Sequence, residues 1–265
     1  MILFPPAKIN LGLKVLKKRS DGYHEIETCM MSVPMTDVLE IVPSEKFEFK
    51  QTGIKVEGDQ ESNLCVKAFR LFRQRHTISN VYIHLRKQLP MGAGLGGGSA
   101  DASYVLRGLN TLFDCGLSND ELRAMASELG SDCPFFIEDT VQIGKGRGTE
   151  LSNFNLDLKG YYLKLINPGI HVGTKEAYDG IRFSDGTDSI ENLLELPVAD
   201  WKDRLNNDFE HTIFELHPSI GKLKEQLYAE GAVYASMSGS GSTVYGIFEK
   251  EPEITTNFFE KVLEL

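Results

Sequence analysis

The densest chemical signal in the chain is the run Pro90, Met91, Gly92, Ala93, Gly94, Leu95, Gly96, Gly97, Gly98, Ser99, Ala100, which holds five of its 25 glycines. At an average usage of roughly 7%, a chain of 265 residues would carry about 19, so this window accounts for most of the surplus. A tight turn needs one or two glycines. A run this dense lets the backbone come within hydrogen-bonding distance of a ligand and points successive N–H groups at it. The window follows a predicted strand, Val81 to Leu85, and precedes a predicted helix beginning at Ser99, with Ser99 at the N-cap position. The start of a helix carries partial positive charge, so the arrangement suits phosphate.

Two well-known phosphate loops fit poorly. Gly92-x-Gly94-x-x-Gly97 has the dinucleotide-binding spacing, but Lys87, Gln88 and Pro90 separate it from the strand, and Leu117 stands where an acid is required. Gly92 to Ser99 has the spacing of a Walker A loop, with Gly98 in place of its lysine. The loop would therefore hold phosphate without a lysine of its own, and cationic help must come from elsewhere. Asp101 follows closely. An anion beside phosphates is unfavourable unless a cation intervenes, so Asp101 either assists a metal or faces away as an acid of the first helical turn.

The elements that must position this loop come in clumps. Residues 8–18 and 23–33 read as two strands around the turn Ser20-Asp21-Gly22, with Lys8, Asn10 and Gly12 on one face and Ile9, Leu11 and Leu13 on the other. Further strands are predicted at Thr36 to Val42, Phe47 to Lys50, Val141 to Ile143, Tyr161 to Ile166, Ala232 to Ser236 and Thr243 to Glu249. Helical periodicity appears on Leu64, Ala68, Leu71 and Phe72, and again on Ala102, Val105, Leu106, Leu109, Leu112 and Phe113. Ser118 to Glu121 reads as a capping box, and Ser189 to Leu196 and Ile220 to Glu230 as helical stretches. Clumped strands and helices favour α+β over a doubly wound sheet, with a boundary near residues 150–160.

Composition narrows the partners. The formal charge of −10 disfavours nucleic acid and anionic membrane surfaces. No segment approaches eighteen consecutive apolar residues, so no membrane span is expected. The four cysteines form no CxxC pair, which excludes zinc-finger spacing and a small disulfide framework, and a reducing cytoplasm is the natural reading. Five of the six histidines, His76, His84, His171, His211 and His217, form no metal-ligand cluster in the sequence.

PMGAGLGGGSADA at 90–102 resembles the ATP-binding loop of the GHMP kinase superfamily, named for galactokinase, homoserine kinase, mevalonate kinase and phosphomevalonate kinase. MSGSGSTVYGIF at 237–248 matches the second glycine motif of that superfamily. PAKINLGL at 6–13, DGYHEIET at 21–28 and GSDCPFF at 130–136 are similar to the branch acting on a cytidine diphosphate-linked methylerythritol. The resemblance implies a two-domain α+β fold. A ribosomal protein S5 domain 2-like N-terminal domain (1–153) would bind ATP, a ferredoxin-like α+β C-terminal domain (154–265) would follow, and the active site would lie in the cleft between them.

It further implies ATP-dependent phosphorylation of the substrate's 2-hydroxyl, with Mg²⁺ on unassigned ligands; a homoserine or mevalonate type of substrate is the alternative. Lys8 and Asp132 would carry the chemistry and Pro90 to Ala100 would hold ATP. Tyr23 and Tyr178 would sandwich the cytosine, His24 would bond its edge, and Asn10 would lie near the reacting hydroxyl. The expected state is a monomer or weak homodimer. Gly239-Ser240-Gly241 would approach phosphates, and Gly144 to Gly148 reads as a hairpin connection.

Overall fold

The structure, a computed structural model, describes residues 1–55, 58–184 and 188–265. The chain begins with five strands: β1 (Ile2–Leu3), β2 (Pro6–Lys18), β3 (His24–Thr36), β4 (Val38–Pro43) and β5 (Glu48–Gly53). Then come α1 (Leu64–Arg75), β6 (Val81–Lys87), α2 (Gly97–Leu112) and α3 (Asn119–Ser127). Strands β7 (Gln142–Lys145), β8 (Glu150–Asn153) and β9 (Tyr162–Asn167) follow. Helices α4 (Thr174–Asp179), α5 (Ile190–Leu194), α6 (Phe209–Leu216) and α7 (Pro218–Ala229) lead to β10 (Tyr234–Met237), β11 (Val244–Phe248) and β12 (Phe259–Glu264).

These elements form two compact units interleaved along the chain. The first comprises residues 1–8, 32–91 and 96–140, and the second residues 9–31, 92–95 and 141–265. The long strands β2 and β3 contribute residues to each, in a sheet of order β2-β3-β7-β8.

In the first unit a sheet of order β1-β4-β6-β5 is antiparallel except for the β5–β6 pair. Its inner face presents Leu39 and Ile41 of β4 and Val81, Ile83 and Leu85 of β6. Against that face pack Phe69 and Phe72 of α1 and the stripe Ala102, Val105, Leu106 and Leu109 of α2. The period of two in β6 continues to Lys87, which places a lysine on the buried face of the sheet. The predicted capping box is present: Ser118 accepts from the Glu121 N–H while Glu121 accepts from the Ser118 N–H, and α3 follows.

The second unit has its own antiparallel sheet of order β10-β11-β9-β12. Ile166, Ala235, Met237 and Val244 from that sheet meet Phe209 and Ile213 of α6 and Ile220, Leu223 and Leu227 of α7. The periodicity in the sequence leaves β1, α4, α6, β8 and β12 unpredicted. All five are short, six residues or fewer except α6 at eight, too little chain for a period to declare itself.

Candidate active site

In the first unit the glycine run opens α2. The helix starts at Gly97, two residues before the position read from the sequence, and Gly96 occupies the N-cap with a left-handed φ of 69°. Ser99 is therefore a residue of the first turn and not the cap. The reason is steric: Gly96 tolerates the left-handed turn that launches the helix, so no serine is needed at the junction. No side chain caps this helix, and the first intrahelical bond runs from the Ala100 N–H to the Gly96 carbonyl at 2.9 Å. The N–H groups of Gly97, Gly98 and Ser99 precede that bond, as a ligand at a helix start requires.

The space around Gly96 is the decisive local fact. A Cβ there would lie 2.9 Å from Phe136 Cζ and 3.1 Å from Lys8 Cγ. Lys8 thus runs directly beside the helix start. Its Nζ stands 3.4 Å from Asp132 Oδ2; Lys8 is 3% exposed and Asp132 43%. Asp132 precedes a short 3₁₀ turn, Cys133–Ile137, whose five side chains are all buried. Ser103 of α2 ties this turn down by donating its hydroxyl to the Cys133 carbonyl at 2.7 Å. Asp132 makes no capping bond of its own, so its carboxylate stays available to solvent and to a ligand. A sheltered ammonium, an accessible carboxylate and an uncapped helix start thus lie side by side.

Asp101 does not face outward as a surface acid of the first helical turn. It is buried, and its Oδ2 accepts from Lys87 Nζ at 2.8 Å. Lys87 also pairs with Asp37, whose Oδ1 accepts the backbone N–H groups of Gln88 at 2.5 Å and Leu89 at 3.0 Å. Burial pushes the Asp101 carboxyl up to about 7, with Lys87 opposing the rise and Asp37 adding to it. Burial pulls the Lys87 ammonium down, but the charges of Asp101 and Asp37 outweigh it and leave it raised. Lys87 and Asp37 are absent from the sites read from the sequence. The alternation Val81, Ile83, Leu85 was the signal for Lys87, since it turns that lysine inward. A Cβ on Gly97 would lie 3.2 Å from Lys87 Nζ, so this cation sits behind the first turn of α2.

Next to the cluster opens a cavity of about 460 Å³ whose lining includes Phe49, Gln51, Asn63, Leu85, Met91, Gly98 and Asp101. Its size lies within the usual range for small-molecule sites, and its lining mixes an aromatic ring, apolar side chains and amides with the charged Lys55, Asp59, Lys87 and Asp101, a set able to pack on and hydrogen-bond a nucleoside.

The second unit holds the remaining loop glycines and the residues read as substrate contacts. A Cβ on Gly94 would fall 1.9 Å from the Ser238 carbonyl oxygen, and the Ser238 hydroxyl donates to the Gly94 carbonyl at 2.8 Å. The Thr243 N–H adds a bond to the Ala93 carbonyl at 3.2 Å. The segment around Gly239-Ser240-Gly241 thus seats the loop backbone. Asn10 is buried, with its Nδ2 donating to Thr28 Oγ1 at 2.9 Å and its carbonyl accepting from the Tyr245 hydroxyl at 2.7 Å.

His24 and Tyr178 are brought together as parallel rings 4.3 Å apart. Burial, and after it the charge of Lys18, holds the His24 imidazole below its ordinary value, so it is neutral at pH 7. Tyr23 is half exposed, and the Arg147 guanidinium lies 3.5 Å over its ring. Arg147 comes from the β7–β8 hairpin connection, the segment of alternating glycines.

Two family models match the chain: that of the GHMP kinases N terminal domain over residues 63–139, and that of the GHMP kinases C terminal over residues 189–261. The chain belongs to the GHMP kinase family. It is a small-molecule kinase of a family that uses ATP as phosphate donor. This GHMP kinase is 49% identical, over 96% of its own length and 94% of the relative's, to a Cytophaga hutchinsonii protein named 4-diphosphocytidyl-2-C-methyl-D-erythritol kinase. A Parabacteroides distasonis protein of the same name is 48% identical, with 99% of this chain and 96% of that one covered. Among solved structures, a crystal structure of 4-(cytidine 5'-diphospho)-2C-methyl-D-erythritol kinase superposes with a TM-score of 0.80 at 31% identity, covering 93% of this chain and 90% of that one.

The GHMP kinase has no helix, among its described residues, long and apolar enough to cross a membrane. Nor do its described residues gather three His, Cys, Asp or Glu side chains that could hold a metal ion. The donor set does not fit a protein-built Mg²⁺ cage. A Mg²⁺ that arrives with ATP keeps most of its coordination as phosphate and water, which needs no such cage.

Proposed function

We propose that this GHMP kinase transfers the γ-phosphoryl group of ATP to the 2-hydroxyl of 4-diphosphocytidyl-2-C-methyl-D-erythritol, giving the 2-phosphate and ADP, in isopentenyl diphosphate biosynthesis by the non-mevalonate (deoxyxylulose phosphate) pathway. The observation that carries the reaction type is the Lys8–Asp132 pair lying against the uncapped start of α2. The substrate is supported by the name shared by relatives alike over nearly the whole chain.

Phosphoryl transfer needs alignment and charge stabilisation more than covalent help. The N–H groups at the start of α2 hold the phosphates of ATP, and the adjoining cavity takes its nucleoside. Asp132 orients the substrate hydroxyl and accepts its proton as the oxygen attacks the γ-phosphorus. The bond from that phosphorus to the β–γ bridging oxygen breaks, and ADP leaves. Lys8, sheltered from solvent beside the helix start, stabilises the negative charge spread over the transferring group. Mg²⁺ supplies further neutralisation when bound with the nucleotide.

Tyr23 and Tyr178 stack on the cytosine, neutral His24 hydrogen-bonds its edge, and Asn10 lies near the reacting hydroxyl. As domains along the sequence, distinct from the two interleaved compact units, residues 1–153 make up the ATP-binding domain and 154–265 the second domain. The enzyme works in the cytoplasm as a monomer or weak homodimer.

Incubation with ATP, Mg²⁺ and a panel of alcohols tests the reading. ADP should appear with the cytidine substrate and not with homoserine or mevalonate; ADP with either of those alone would overturn it. The clamp has its own test. Tyr23→Ala should raise KM for the cytidine substrate by roughly tenfold, the usual loss when an aromatic platform under a base is removed, and leave KM for ATP nearly unchanged. Equal rises for both substrates would remove Tyr23 from the cytosine site.

A further inference from the structure

We propose that the buried Asp37–Lys87–Asp101 cluster is a proton-linked clamp that holds both ends of the glycine loop and sets its affinity for the phosphates of ATP. The proposal rests on the reading that ATP binds at this loop.

The geometry is that of a clamp. Asp37 accepts the N–H groups of Gln88 and Leu89, the residues that lead into the loop. Lys87, the last residue of β6, bonds Asp37 on one side and Asp101 on the other. Asp101 lies in α2, which leads out of the loop. One ammonium therefore joins the entry of the loop to its exit, with all three side chains at most 3% exposed. Solvent reaches them little, so the bonds hold their geometry and the charges act with weak screening.

The charge of the cluster is not balanced. One ammonium faces two carboxylates, which leaves a net negative charge behind the turn that would receive phosphate. Asp101 is where a proton relieves this. Its Oδ1 is buried and has no hydrogen-bond partner among the described residues, an arrangement that disfavours the ionised form. The groups packed against it are Lys87 from β6, Asp37 from the turn between β3 and β4, and the Cys65 thiol of α1, which has Cys133 of the 3₁₀ turn beyond it; Lys55 and Asp59 line the same cavity as Asp101. Burial pushes both thiols up, so they stay protonated and neutral near pH 7. Lys87 is raised and stays charged. Asp101, pushed up to about 7, is the member of this group that titrates near neutrality.

The sign follows. Below that value Asp101 is protonated, the cluster is neutral, and nothing opposes the phosphates. Above it the cluster carries its negative charge and repels them. ATP affinity falls as pH rises through neutrality, and ATP binding draws a proton onto Asp101.

The test compares KM for ATP and kcat in the wild type and in Asp101→Asn across about pH 6 to 8.5. Taking the ratio of the two KM values at each pH cancels the titration of ATP itself, whose terminal phosphate loses its last proton near pH 6. The wild-type value should climb roughly tenfold relative to the variant over this range, as expected for one unit charge acting through a weakly screened interior, while the ratio of kcat values stays level. A purely structural cluster gives a KM ratio that does not change with pH, and that result overturns the proposal. Should Asp101→Asn not fold, Asp101→Ser, also neutral and smaller, carries the same comparison. Calorimetry on the wild type in two buffers of different ionisation enthalpy supplies a second readout. Proton uptake on ATP binding between about pH 7 and 8 supports the clamp, and zero uptake overturns it. Failure of the wild type to bind or turn over ATP at any pH would instead sink the underlying assignment of the loop.

Discussion

Asp132→Asn is expected to lower kcat by about a thousandfold while the protein stays folded and KM for ATP moves by less than a few-fold. The asparagine keeps the shape of the side chain but can neither accept the hydroxyl proton nor hold a negative charge toward Lys8, and positioned proton transfer contributes roughly 10² to 10⁴ in rate. The fold should tolerate the change because Asp132 is 43% exposed and makes no capping bond to the turn it precedes. The buried side chains of Cys133, Pro134, Phe135, Phe136 and Ile137 hold that turn.

Lys8→Ala should remove most of kcat as well, through a different route. It deletes the sheltered charge beside the transferring phosphoryl group. It also leaves a gap against Phe136 and Gly96, so some stability is lost with it. Lys8→Met, which fills the same space without charge, separates the two contributions: stability should recover and kcat should not. Thermal melting and steady-state kinetics on the three variants are sufficient. Near-normal turnover by Asp132→Asn or Lys8→Ala would withdraw the pair from the chemistry.

The second large effect is expected at Gly96. Gly96→Ala places a side chain on a residue whose φ of 69° is strained for any L residue, and its Cβ would press on the Phe136 ring at 2.9 Å. The backbone strain alone is of order 1–3 kcal/mol, and relief of the contact must shift the first turn of α2, the turn that receives phosphate. KM for ATP should rise at least tenfold and the melting temperature should fall by several degrees, given about 2–4 °C per kcal/mol for a chain of this size. Gly98→Ala is the control. A Cβ there meets only Leu64 at 3.8 Å, and no left-handed φ is involved. Its melting temperature should stay close to wild type. Equal destabilisation by the two substitutions would show that the loop is held by something other than the geometry at Gly96.

Much of the site is legible along the chain because its parts are local. A run of glycines between a strand and a helix is a phosphate cradle by virtue of consecutive backbone groups, and that survives without knowledge of the fold. The details of the junction do not. Ser99 has the right chemistry for an N-cap, yet Gly96 takes the place, since a left-handed start needs a missing Cβ more than a hydroxyl. β12 shows the same limit on a larger scale. Phe259–Glu264 is rich in residues that favour helix, but it pairs along its whole length with β9, and Glu260 reaches Lys164 at 2.7 Å. Such partners override a weak local preference.

By itself, then, the sequence determined the glycine cradle, the class of the fold and, through likeness to a known family, which lysine and aspartate to examine. Tertiary structure alone decided that Lys8 meets Asp132 across 124 positions of chain (132 − 8), and that a second lysine lies behind the cradle. It alone decided that Asp101 is buried against Lys87 and is not a helix-start acid at the surface. The reason is physical. Backbone conformation is set over a few neighbouring residues, whereas the charge state and reach of a buried side chain depend on groups that only the folded core brings within a few ångströms.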